Sequence, residues 1–130
     1  MTHWKLEPLK KIGDIEFGMT RDEVRKKLSL DFEEFKKNEF SKNTTDDFGD
    51  FHIYYDMSNK VEAVEIFENI EIEINNKIIY PLKVKDITTI LPNAKRIDDS
   101  TYIDYQNSIG IAISDNEISS ILFAKKDYYI

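Results

Sequence analysis

From Phe51 to Ile74 the side chains keep a two-residue period. Ile70, Ile72 and Ile74 alternate with Glu71 and Glu73. The segments Phe51-His52-Ile53-Tyr54-Tyr55 and Val61-Glu62-Ala63-Val64-Glu65-Ile66-Phe67 are rich in β-branched and aromatic residues. A strand sends alternate side chains to opposite faces, so this pattern puts apolar groups on a core and carboxylates in water. Residues 51–55, 61–67 and 70–74 are therefore expected as strands, with a turn over 56–60. Asn75-Asn76 turns the chain into a further strand over 77–80.

Helix signals flank this block. Thr20 followed by Glu23 fits a capping box, and Met19 with Val24 fits a hydrophobic staple. Asp22 and Glu23 suit the positive end of a helix dipole, and Arg25, Lys26 and Lys27 the negative end. A helix over about 20–29 is predicted, with Val24 and Leu28 inward. Ile15 and Phe17 alternate as a short strand before it, and Gly18 reads as a turn glycine. A second helix is predicted over 83–91, from the stripe Val84, Ile87, Ile90 and Leu91, stopped by Pro92. Strands are expected over 101–105, 109–113 and 117–124. Phe32 and Phe35 fit a short strand or a helical turn equally, and 41–50 reads as a polar loop.

The two halves echo each other. Residues 58–66 overlay 115–123, bringing Asn59 onto Asn116, Val61 onto Ile118 and Val64 onto Ile121. Each hairpin follows a predicted helix. This implies one domain over 1–130, with half-repeats 12–80 and 81–130. The expected fold class is α+β: one antiparallel sheet with both helices on one face and the other face open. On that open face the alternation places His52, Tyr54, Asp56, Glu71, Glu73, Ala112, Ser120 and Leu122, the candidate partner-binding set.

Two motifs, Glu16-Phe17-Gly18-Met19-Thr20-Arg21-Asp22-Glu23-Val24 and Tyr54-Tyr55-Asp56-Met57-Ser58-Asn59-Lys60-Val61, resemble the helix–hairpin units of the β-lactamase-inhibitor-like and outer-membrane-assembly-lipoprotein-like folds. Phe35-Lys36-Lys37, the stretch 40–49 and His52-Ile53-Tyr54-Tyr55 resemble a group of small cytoplasmic bacterial proteins, some of which look like immunity proteins of polymorphic toxin systems. The inhibitor and lipoprotein families are exported. Here Met1–Pro8 shows no apolar leader segment and the chain has no cysteine. The resemblance thus implies a cytoplasmic binder, and it carries over no catalytic residue.

Charge points the same way. The net charge is −7. Residues 38–75 hold ten acids against Lys42 and Lys60, a balance of −8, which leaves +1 for the rest. A nucleic-acid binder would carry a basic stripe, so nucleic acid is not the expected partner. No run approaches the ~18 apolar residues of a membrane helix. The absence of cysteine removes thiolate chemistry and thiolate-bound zinc, and His3 and His52 are too few for a three-histidine site. Asp46, Asp47 and Asp50 lack the calcium-loop pattern and read as loop or capping residues. Glu71 and Glu73 are explained by strand alternation without a glycosidase pair.

The expectation is a non-enzymatic acidic binding module without metal or cofactor. It reads as an immunity or inhibitor protein that occludes a basic site on a toxin domain, such as a nuclease. The alternatives are a small-ligand-binding or weakly catalytic protein with a pocket between sheet and helices, and a self-associating scaffold.

Overall fold

The computed structural model describes residues 1–41 and 43–130. Lys42, part of the expected 41–50 loop, lies outside the described residues. Among the described residues thirteen strands run in chain order: β1 (Thr2–Glu7), β2 (Lys11–Ile12), β3 (Ile15–Glu16), β4 (Glu33–Phe35), β5 (Thr45–Asp47), β6 (Phe51–Tyr55), β7 (Val61–Ile66), β8 (Ile70–Ile74), β9 (Lys77–Tyr80), β10 (Lys95–Asp98), β11 (Thr101–Asp104), β12 (Ile109–Ser114) and β13 (Glu117–Ala124). Two helices, α1 (Arg21–Leu28) and α2 (Ile87–Ile90), complete the list. The strands form two sheets, β3-β2-β1-β8-β9 and β10-β11-β12-β13-β7-β6-β5-β4. Among the described residues, no helix is long and apolar enough to cross a membrane.

This corrects the expected fold class. The protein is mostly β rather than α+β, and a second sheet lies where two packed helices were expected. The alternation in 70–74 shows which face of β8 is apolar but not which strands it pairs with. β8 leaves the large sheet and pairs in parallel with β1, Trp4 opposite Ile72 and His3 opposite Glu71. Leu6, Ile12, Ile15, Ile72 and Ile79 of the smaller sheet then join the same core as Phe51, Ile53, Ile66, Ile111, Ile121 and Phe123 of the larger one. Trp4 meets Phe51 edge-on at 4.9 Å, and Phe48 stacks on Phe51 at 5.0 Å. Each fully buried aliphatic or aromatic side chain of this core, such as Ile53, Ile72 or Phe123, contributes about 1.5–3 kcal/mol.

The first predicted helix is present, and its cap closes as the sequence implies. The Glu23 N–H donates to Thr20 Oγ1 at 3.2 Å, and the Thr20 N–H donates to the Glu23 carboxylate at 3.1 Å. Val24 is fully buried, and Ser29 ends the helix in the left-handed region at φ 50°. The second predicted helix shrinks to a 3-10 turn over Val84–Asp86 and the four-residue α2. Pro81 and Pro92 bracket this segment, and its β-branched run Ile87-Thr88-Thr89-Ile90 propagates a helix poorly. Ile87 and Leu91 still reach the core.

The hairpins β6–β7 and β12–β13 sit side by side, joined through the antiparallel pair β7–β13. Each carries a register shift at the matching place, Tyr54/Tyr55 in one and Ala112/Ile113 in the other.

Candidate functional site

The larger sheet has one face on the core and one facing outward. Cross-strand register defines the outward face. Asp47, His52, Glu65, Leu122 and Gly110 form one row, Thr45, Tyr54, Ala63 and Ala124 a second, and Thr101, Ala112 and Ser120 a third.

Aromatic rings gather there. The His52 ring lies 5.3 Å from Phe35 and 4.6 Å from Phe67, with its Nε2 3.3 Å from Asp47 Oδ1. Tyr54 stands beside it and donates its phenol proton to Glu65. Ser120 Oγ donates to the second Glu65 oxygen at 2.5 Å. Glu65 is thus held between two donors, half-buried at the centre of the face. Burial, then the Glu65 carboxylate, pushes the Tyr54 phenol well above its usual range, so it stays a neutral donor.

The segment after β13 lies across this face. The Tyr128 and Tyr129 rings meet edge-on at 5.1 Å. Tyr128 packs on Tyr54, Ala63 and Ala124. Tyr129 rests on Gly110, where a Cβ would lie 2.1 Å from its phenol oxygen, so only glycine permits this approach. The pair leaves two hollows. One, of about 360 Å³, lies between Lys37 and Asn43 of the 36–44 segment and Tyr54, Asp56, Glu62 and Tyr128. The other, of about 100 Å³, has Tyr129 as a wall and reaches Glu65, Ala112, Ser120 and Leu122. In the first, Lys37 Nζ sits 4.1 Å from the Tyr54 ring centroid.

Of the residues singled out from sequence, His52, Tyr54, Ala112, Ser120 and Leu122 share this face. Asp56 borders it, with one carboxylate oxygen already accepting from the Ser58 and Lys60 N–H groups at 2.8 and 3.0 Å. Glu71 and Glu73 lie elsewhere, because β8 belongs to the smaller sheet. They flank His3, whose Nδ1 is 2.9 Å from Glu71 and whose Nε2 is 2.5 Å from Glu73. Carboxylates at both ring nitrogens favour the protonated ring, which can donate from both. Glu71, then Glu73, raises its pKa.

The expected polar loop over 41–50 is also corrected. Thr45–Asp47 is a strand, and Asp46 is fully buried. Arg25 donates to both of its oxygens at 2.9 and 2.7 Å, Arg21 donates to Oδ1 at 3.3 Å, and Tyr55 donates to Oδ2 at 2.8 Å. Arg21 also lies 4.1 Å over the Tyr55 ring. Asp47 accepts from the Gly49 N–H, and Asp50 from Asn69. These acids therefore serve pairing and turns.

Glu65, Phe35, Phe67, Tyr128 and Tyr129 were not in the predicted set. Available signals were the adjacent tyrosines and the lone glycine in Ile109-Gly110-Ile111, a gap sized for a ring. No protein family matches the chain, and no curated protein or solved structure matches it either.

Proposed function

We propose that this protein is a non-enzymatic binding module that receives a basic protein on the outward face of its larger sheet. On this reading it acts as an immunity or inhibitor protein covering a cationic site on a toxin domain. The observation that carries the proposal is Glu65, fixed by Tyr54 and Ser120 among the rings of His52, Tyr54 and Tyr129. Rigid aromatic rings around a fixed charge are what a partner's anchor residues require. The carboxylates that remain on or beside this face, Asp47, Asp56, Glu62 and Glu65, favour a basic partner and would speed its approach at low salt.

The small-ligand alternative has its own counterpart, an open hollow of about 700 Å³ beside Leu82, Val84 and Ile118. Lys83, Lys85, Asn116 and Glu117 also line it, a mixed polar and apolar lining that suits a small amphiphile better than a basic protein.

The test is capture at low salt with the whole protein as bait, then hydrogen-exchange mapping of the complex. The expected result is a basic protein that protects His52–Tyr54 and Ser120–Leu122 and is released by salt. Failure to recover any such protein, or protection confined to the smaller sheet, overturns the proposal.

A further inference from the structure

The hollow beside Tyr54 has a cation of the chain itself on its wall, and this identifies what it can bind. Lys37 Nζ lies over the Tyr54 ring at 4.1 Å, within the roughly 6 Å at which a ring face attracts a cation. Tyr128 forms a second aromatic wall, and the Glu62 carboxylate lies along the same hollow. Burial, followed by Glu62, raises the Tyr128 phenol pKa, so the wall stays neutral. Two neutral rings and a carboxylate around about 360 Å³ suit a long side chain ending in positive charge.

We infer that this hollow is a cation pocket for a lysine or arginine side chain of the partner, and that Lys37 covers its Tyr54 ring face in the partner's absence. The inference rests on reading the outward face as a binding surface. Lys37 is exposed and is held over the ring on an irregular segment, so exchange needs no rearrangement of the sheet. Lys37, Ser41, Asn43 and Thr44 form one rim and Tyr128 another, so displacing Lys37 frees the Tyr54 ring face between them. A ring face already covered by the chain's own cation binds an external cation more weakly, by the fraction of time the face stands free. Removing Lys37 should therefore strengthen binding, the opposite of what loss of an ordinary contact does.

The experiment is a titration of the full chain with N-acetyl-lysine amide, N-acetyl-arginine amide and the uncharged N-acetyl-norleucine amide, followed through the Tyr54 and Tyr128 ring resonances. Saturable shifts are expected with the two cationic probes and not with norleucine. Lys37→Ala should tighten binding about two- to fivefold, and Glu62→Gln should weaken it. Lysine ahead of arginine would mark a pocket shaped for an ammonium; the reverse order would mark ring stacking by a guanidinium. Equal shifts with norleucine, or none with either cation in Lys37→Ala, overturn the inference. A captured partner that maps to this face but binds wild type and Lys37→Ala equally would remove the pocket while leaving the face as the binding surface. Saturation by the cations with no protein captured would retain the pocket and remove the protein-binding reading.

Discussion

Arg25 grips Asp46 with two guanidinium nitrogens, Nε to Oδ2 at 2.9 Å and Nη2 to Oδ1 at 2.7 Å, and so ties α1 to β5. The carboxylate has no exposure of its own, and Arg21 and Tyr55 complete its shell. Burying the charge is costly, but removing one partner costs more, because the other charges stay behind unpaired. Asp46→Ala should destabilise the protein by about 3–5 kcal/mol in urea unfolding. A loss below about 1 kcal/mol would show that water replaces the carboxylate at little cost.

The helix cap gives a smaller effect. Thr20→Ala removes the acceptor for the Glu23 N–H and should cost about 1 kcal/mol. Val24→Ala hollows a fully buried position and should cost roughly 1–3 kcal/mol. Denaturation midpoints of the two variants check both.

His3 makes β1 pH-dependent. Its folded pKa lies above its ordinary 6.5, so the stabilisation is fully present below that value and is lost as pH rises through the raised folded pKa. Amide exchange along the β1–β8 ladder should therefore quicken from neutral to alkaline pH, beyond the intrinsic rate increase. His3→Gln should abolish that excess. Glu71→Gln with Glu73→Gln should return the His3 titration, followed by NMR, toward its ordinary value.

Charge reversal should separate the two acidic sites. Glu71→Lys with Glu73→Lys sets cations against His3 and should loosen β1, with a minor effect on a partner at the outward face. Glu62→Lys should leave the fold intact and slow association with a basic partner several-fold at low salt, the difference shrinking as salt rises. Stopped-flow association at two salt concentrations distinguishes them.

Gly110→Ala should lift Tyr129 from the sheet, since the added methyl meets its phenol oxygen. The ring lies at the end of a flexible side chain, so the cost in stability should be small. Protease cleavage within 125–130 should rise.

Local signals in the sequence were read well. The cap at Thr20, the hairpins β6–β7 and β12–β13 and the inward set Phe51, Ile53, Ile111 and Ile121 depend on neighbours close in the chain. Features set by distant pairing were missed. β1 alternates too, Trp4 and Leu6 against His3 and Lys5, but six residues without turn signals do not announce a strand. Nor does a polar run such as Thr44-Thr45-Asp46-Asp47 show that one acid will be buried, because its cations come from α1. The spacing of Arg21 and Arg25, four apart on the face that carries Val24, was the available hint. Alternation puts His52, Tyr54, Ser120 and Leu122 on the outward face of the larger sheet but assigns Glu71 and Glu73 to it as well, because it gives the face of a strand and not the sheet.

The pairing of β1 with β8 joins residues 68 apart in the chain, as His3 and Glu71 show. At a synthesis rate of about 5–20 residues per second, β1 waits several seconds on the ribosome before its partner strand emerges. Over that interval β1 has only the short β2 beside Leu6 and Glu7, Trp4 lacks its partner Ile72, and closing so long a loop delays the ladder further. The first strand should therefore be the one that stands longest without its main partner, and the segment most exposed to chaperones during translation.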